Sequence, residues 1–332
     1  MIIDIFNHFI PAGYFERLRA LVPDQPAATA FPLVRTLWDI DERLRLLDRF
    51  GDYHQVLSLA NPPIELLGPP DRTPDLARLA NDGLADICRR YPDRFPTFVA
   101  SLPMNNIEAA IQEADRAIGG LGARGVQVFT NVAGKPLSDR QFRPLFARMA
   151  QHGLPVWVHP MRGPQFADYA GEQASENEIW FTFGWPYETS ACMTRLIYSG
   201  LFDELPGLTI ITHHMGGMIP YFAGRIGLGF RQIFFGSQNC NPGAAALKKT
   251  PQEYFKMLYA DTALNGDVAA TRCGHDYFGT SHCLFATDAP FDPEGGAMLM
   301  AGTIKAVETL AIGKEDRASI LYGNAHRLLR LA

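Results

Sequence analysis

Short runs of β-branched and aromatic residues alternate with segments of helical period along almost the entire chain. The first run, residues 2–9, sets Asp4, Phe6 and His8 against Ile3, Ile5 and Asn7. This period of two reads as a strand with Phe6 and His8 on one face. Residues 11–37 hold several prolines and no sustained period, and are expected to form an excursion over the mouth of the fold. Asp39 reads as a helix N-cap, with Ile40, Leu44 and Leu47 as the buried stripe behind it. Further strands are expected at 54–59, 95–100, 125–129, 155–159, 208–212, 258–261 and 283–287. Helical periods fill most intervals. One spans 73–91 with Leu76, Leu79, Ala80, Leu84 and Ile87 inward; others span 105–121, 138–151 (closed by His152 and Gly153), 187–202, 215 to about 235, a short piece from 251, 294–311 and 314–331. Residues 161–186, aromatic and glycine-rich, read as an active-site loop, and 236–244 as a plainer one. Eight strands interleaved with helices, without repeats or low-complexity linkers, predict a single α/β domain over residues 1–332. The economical arrangement is a (β/α)8 TIM barrel with loop insertions over its C-terminal face; a doubly wound sheet is the alternative.

Composition narrows the partners. With 332 residues, 47% hydrophobic and 20% charged, the chain is ample for one large core. A formal net charge of −5, with both signs interspersed, gives no basic stripe to neutralise phosphates and argues against a nucleic-acid binder. A small-molecule partner is expected instead. No apolar run reaches membrane-spanning length and the first residues enter a strand at once, so a cytoplasmic protein is expected, with no membrane partner. The five cysteines, Cys88, Cys192, Cys240, Cys273 and Cys283, form no Cys-x-x-Cys pair, which suggests neither a disulfide frame nor a zinc ribbon. Cys88, Cys192 and Cys283 read as core thiols.

A barrel of this kind does its chemistry at the C-terminal ends of its strands, and here those ends carry His8, Gln127, His159, His214 and Asp288. The run 208–212 ends in His213 and His214, and helical backbone N–H groups from Met215 onward are expected to point at the same space. A lone strand-end histidine usually has a structural partner; several converging with an aspartate are a candidate metal site. Two imidazoles and a carboxylate suit a divalent metal, zinc foremost and manganese if the site is richer in oxygen, with positions left for substrate. Arg162 is a candidate grip for a substrate carboxylate, against the plain reading of a solvated loop arginine. Trp180, Phe181, Phe183 and Trp185 either wall an aromatic substrate or pack their loop down. Gln127 either bonds substrate or fills a polar layer of the barrel. His54, His152, His275, His282 and His326 are assigned to scaffold. Gly224, Gly227 and Gly229 lie in a helical segment and not directly after a strand, so they are not read as a nucleotide loop. No Gly-x-Ser-x-Gly elbow is present.

At these residues the sequence resembles the amidohydrolase-related decarboxylases, the group typified by aminocarboxymuconate semialdehyde decarboxylase and γ-resorcylate decarboxylase. The resemblance covers nearly the whole chain. It is carried by Asp4-Ile-Phe-Asn-His-Phe-Ile-Pro11, Gly125-Val-Gln-Val128, Val158-His-Pro160 and Pro186-Tyr-Glu-Thr189. It continues through Pro206-Gly-Leu208, His214-Met-Gly-Gly-Met-Ile-Pro220 with Gly224-Arg225, Thr287-Asp-Ala-Pro290 and Tyr322-Gly-Asn324. The resemblance implies an amidohydrolase-like barrel, His8, His159 and Asp288 at metal-ligand positions, and His214 as the catalytic histidine; Asp288 and His214 are the candidates for proton handling. It also implies that Arg225 reaches into a neighbouring subunit's site to hold a substrate carboxylate, hence a homodimer or larger homo-oligomer. One position departs from the pattern: the family's first strand ends His-x-His or Glu-x-His, and Phe6 stands at the first of those ligand positions. Three functional readings follow. The first is a metal-dependent, non-oxidative decarboxylase of a small aromatic or unsaturated carboxylic acid. The second is a metal-dependent hydrolase or hydratase acting on a lactone, amide or double bond, and the third a non-catalytic binding protein with a decayed metal site.

Overall fold

The alternation of buried strand and amphipathic helix closes on itself. In the computed structural model, which describes residues 1–226 and 246–331, eight parallel strands run in chain order. They are β1 (Ile2–His8), β2 (Tyr53–Ser58), β3 (Thr97–Phe98, continued by Ala100–Ser101), β4 (Val126–Phe129), β5 (Val156–His159), β6 (Ile210–Thr212), β7 (Tyr259–Asp261) and β8 (Cys283–Leu284). Parallel registers link neighbours, for example Ile2 with Tyr53, Val126 with Val156 and Ala260 with Cys283. β3 is interrupted at Val99, whose N–H donates to Leu57 O while that of Ala100 turns to Gly125 O. The ring closes where Ile5 N donates to Phe285 O and Asp288 N to Phe6 O, each at 3.0 Å. A closed parallel sheet is buried on both faces, which explains why its strands are near-continuous apolar runs.

Inside the ring Ile5, Phe6, Val56, Val99, Trp157 and Ile211 pack into one another, and the larger apolar shell lies between sheet and helices. The helices used below are α1 (Ala12–Leu21), α2 (Ile40–Asp48), α3 (Thr73–Arg90), α4 (Ile107–Arg116), α5 (Arg143–His152), α6 (Gly184–Tyr198), α7 (Val268–Phe278) and α8 (Ala297–Glu308). Gly125 faces β5 so closely that a Cβ would lie 2.4 Å from both Pro155 O and the Trp157 ring, so this position is closed to any side chain.

Several expectations are revised. Residues 11–37 are not a structureless excursion: α1 buries Tyr14, Phe15 and Leu18, spaced i, i+1 and i+4, and packs on α3. Asp39 does cap α2, accepting from Asp41 N and Glu42 N. The buried face of α2 is however Arg43, Leu46 and Leu47, rotated from the Ile40–Leu44–Leu47 stripe. Leu79 of α3 is 40% exposed. The helix α7 between β7 and β8 had no counterpart in the sequence reading. His152 answers Asp115, Nε2 to Oδ1 at 2.7 Å, and Gly153 closes α5 at φ +59°. The expected loop 236–244, Cys240, Gly227, Gly229 and the far part of the helix expected from 215 to about 235 lie outside the described residues. The other four cysteines are free, with Cys192 and Cys283 buried.

Candidate metal centre

β1 and β5 end on His8 and His159, and Asp288 follows β8 at φ +62°. One ligand atom from each lies within 4.8 Å of the others, so residues 8, 159 and 288 meet as the sequence suggested. The hydrogen bonds behind them fix the chemistry in front. His159 Nδ1 is 2.6 Å from Pro160 O and His8 Nδ1 is 3.3 Å from Leu59 O. A carbonyl oxygen only accepts, so each Nδ1 carries a proton and each Nε2 is turned to the site, with its lone pair available when the ring is neutral. His8 Nε2 then stands 3.0 Å from Asp288 Oδ1. Two acceptors at that distance need a shared proton or a cation. Burial, reinforced by the imidazoles of His213 and His8, holds His159 well below the usual histidine range. Burial works against the Asp288 anion, yet the hydrogen bonds from His214 and His8 outweigh it and hold this carboxyl below its usual range. Two neutral imidazoles and one carboxylate are a fitting donor set for a divalent cation with open positions.

The ligands are braced from beneath. Arg43, fully buried, donates from Nη2 to His8 O, from Nη1 to Gln55 Oε1 at 2.9 Å and from Nε to Thr36 O at 2.7 Å. Asp4 accepts from Thr287 Oγ1 (2.7 Å), Tyr53 Oη (3.0 Å), Phe6 N (3.2 Å) and Gln55 Nε2 (3.3 Å). Burial pushes the Asp4 carboxyl up to about 6 despite those donors. Through these contacts the strand that ends in His8 and the segment that carries Asp288 are held by one polar network.

On the far side His213 and His214 part company. His213 is fully buried, with Nδ1 on Asp261 Oδ2, and the Phe6 ring lies against it at a centroid distance of 3.7 Å. Asp261 Oδ1 also takes His214 N at 2.9 Å. His214 and Met215 (both φ +52°), Gly216 (+76°) and Gly217 (+63°) form a left-handed run; a Cβ on Gly217 would sit 2.4 Å from Pro186 O. The helix expected from Met215 therefore does not start there, and helical backbone resumes only at residue 223. The donor array foreseen behind the imidazoles is absent from this place, because the run instead swings His214 toward Asp288, Nε2 to Oδ2 at 3.5 Å. Burial lowers the affinity of His214 for a proton, but its bond and proximity to Asp288 outweigh this and leave it raised.

The other candidates divide. Trp185 stacks on His214 (6.3 Å, 28°) and meets His159 edge-on at 5.2 Å, whereas Trp180 touches Trp185 and Phe181 but none of the ligands. Phe129 and Phe291 complete the aromatic wall, at 5.2 Å from His159 and 5.6 Å from His8. Arg162 is engaged by α6 and by its own loop, with Nη1 3.5 Å from Glu188 Oε1 and the guanidinium over the Phe166 ring. Gln127 is buried, donates to Leu59 O at 3.1 Å and leaves Oε1 without a partner. Arg225 is exposed. Asp261 and Phe291 were missed; Asp261 ends β7 as the histidines end β1 and β5, and that parallel was the available signal.

Comparison with known proteins identifies the family and the fold. The family described as Amidohydrolase matches residues 3–331. The γ-resorcylate decarboxylase of Polaromonas sp. is 31% identical over 340 residues, covering 98% of this chain and 97% of that protein. The 2-amino-3-carboxymuconate-6-semialdehyde decarboxylase of Dictyostelium discoideum is 30% identical over 298 residues, 89% of this chain and 77% of that protein. A crystal structure of a dihydroxybenzoic acid decarboxylase from Polaromonas sp., with bound manganese and the inhibitor 2-nitroresorcinol, superposes with a TM-score of 0.81. It is 29% identical and covers 99% of this chain and 96% of its own.

Proposed function

The chain belongs to the amidohydrolase family, and from that premise we propose that it is a metal-dependent, non-oxidative decarboxylase of a small aromatic or unsaturated carboxylic acid. The observation that carries the reading is the opposed pair, His8 Nε2 and Asp288 Oδ1 at 3.0 Å, beside His159 in one buried cluster. These three residues would hold the ion. A bound divalent cation would supply positive charge that binds a substrate anion and balances charge during the reaction.

The chain's own part in the reaction is proton handling and shaping. His214, 3.5 Å from Asp288, delivers a proton to the carbon that bears the carboxylate, with Asp288 as its partner. The C–C bond then breaks, its electron pair returns to the ring or double bond, and CO2 leaves; in sum, carboxylate plus proton gives the shortened product plus CO2. Trp185, Phe129 and Phe291 offer a flat apolar wall that excludes water and suits an aromatic substrate. Zinc is the metal we infer for a site with two imidazoles, on the general affinity order; manganese, present in the related structure, is the competitor. The exposed Arg225 and Tyr221, four residues apart, support the further proposal that a second copy of the chain packs there, with Arg225 holding a carboxylate in that copy's site. A cytoplasmic setting is proposed with it, on the four free thiols. Among the described residues no helix is long and apolar enough to cross a membrane.

The test is CO2 release by metal-loaded protein from a panel of hydroxybenzoates and muconate-type acids, with bound metal measured in the same samples. Release on at least one acid, abolished by chelation, is expected. Metal-loaded protein that opens lactones or amides and releases no CO2 would replace this reading with the hydrolase.

A further inference from the structure

Beside the metal centre, between the segment that follows β2 and the ends of β3 and β4, lies a cavity of about 10 Å3, room for one water-sized group. Three of its lining residues, Glu65, Ser101 and Gln127, are each more than nine-tenths buried, and each leaves an oxygen without a hydrogen-bond partner: Oε1, Oγ and Oε1. Orphaned buried polar atoms are costly, so three around one small space point to something that fills it. Two further lining residues connect the cavity to the ligands. Leu59 offers the same carbonyl oxygen to Gln127 Nε2 and to His8 Nδ1, and Phe129 stands against His159.

Resting on the decarboxylase reading, we propose that Glu65, Ser101 and Gln127 form a specificity subsite for one hydroxyl substituent of the substrate. The chemistry is that of a group which both donates and accepts. Gln127 Oε1 accepts, the Ser101 hydroxyl does either, and Glu65 supplies a carboxyl. Burial pushes that carboxyl up to about 8, so near neutrality it is largely the uncharged acid, which suits a neutral hydroxyl better than an ammonium. The volume excludes a carboxylate or a methoxyl. A site built to bond a hydroxyl discriminates strongly against the analogue that lacks it, because its own groups are then left unpaired.

The experiment uses metal-loaded protein and calorimetric affinities for benzoate and the three monohydroxybenzoates, in the wild type, Ser101→Ala and Glu65→Gln. The wild type is expected to prefer one hydroxybenzoate over benzoate by about tenfold or more, and each variant to lose at least about fivefold of that preference while its benzoate affinity changes less than about twofold. Retained preference in both variants overturns the subsite and leaves the decarboxylase reading standing. A crystal structure with the preferred acid bound and a water still in the cavity does the same. Failure of every benzoate to bind, with no CO2 released from any acid, removes both.

Discussion

Replacing Glu65 with glutamine keeps the shape of the buried side chain and removes its ionisation, so the difference between the two proteins isolates one titration. Burial raises this carboxyl from 4.5 to about 8. Below about pH 4.5 both folded and unfolded chains carry the proton and the group does not couple stability to pH. Between 4.5 and 8 the unfolded chain ionises while the folded one keeps its proton, so wild-type stability falls as pH rises, at up to about 1.4 kcal/mol per pH unit. Above 8 both are ionised and the loss is complete. The rise from 4.5 to about 8 sets a ceiling of about 5 kcal/mol, and water reaching the cavity would lower it, so a span of about 2–5 kcal/mol is expected. Urea unfolding of wild type and Glu65→Gln from pH 5 to 9 measures it, provided the denaturant slope is equal in both. The two should draw apart steadily, with the variant gaining on the wild type up to about pH 8 and running parallel thereafter. A constant difference across that range would refute the claim that Glu65 is held as the acid.

Three shorter predictions concern the metal centre. His159→Ala should lose tight binding of zinc and manganese by dialysis and elemental analysis; wild type at a metal concentration 100-fold above Kd should gain about 2.7 kcal/mol over its chelated form, and the variant close to none. His214→Ala should lower turnover by two or more orders of magnitude while metal content and far-UV circular dichroism stay unchanged, and near-normal turnover would remove its proton-handling role. Phe6→Glu puts a carboxylate at the position whose ring centroid now lies 4.7 Å from that of His8 and 5.6 Å from that of His159, and should tighten metal binding about tenfold or more while the metal-free protein loses about 3–5 kcal/mol of packing. Unchanged affinity would mean that the Phe6 position does not face the ion.

The barrel and the convergence of His8, His159, His214 and Asp288 at its strand ends were legible because both depend on local pattern, while the choice of three of them as metal ligands came from the resemblance. Strand period fixes which residue ends a strand, and barrel topology gathers strand ends whatever lies between them. What stayed hidden was set by tertiary partners. Arg43 reads as a polar face of α2, and only its acceptors on β1 and β2 make it an interior residue. α7 buries Thr271, Gly274 and Phe278, a helical spacing whose first two members carry no hydrophobic signal; Gly274 is needed because a Cβ there would lie 1.9 Å from the Met215 side chain. That same Met215 belongs to the left-handed turn that aims His214, so the overlooked helix and the misplaced start of the next one share a cause. A glycine in one element makes room for a turn in another, and neither is visible from its own segment.

Phe6 shows how far such compensation extends. At a ligand position an aromatic ring need not be a loss if its neighbours can pack on it, and here three imidazoles do, those of His8, His159 and His213. The ring packs within the apolar interior with Ile5 and Trp157 and lies on His213, whose Nδ1 is satisfied by Asp261 and whose buried Nε2 has no hydrogen-bond partner. Asp261 in turn holds the backbone of His214. A decayed site would leave its remaining donors free to relax. Instead His8 is fixed by Leu59 and Arg43, His159 by Pro160 and Asp288 by His8 and His214, each with its reactive atom turned inward. Holding His8 Nε2 and Asp288 Oδ1 3.0 Å apart in a buried place requires a proton or a cation between them. A proton there engages two of the three groups and a divalent cation engages all three, which favours a working three-ligand centre over a relic.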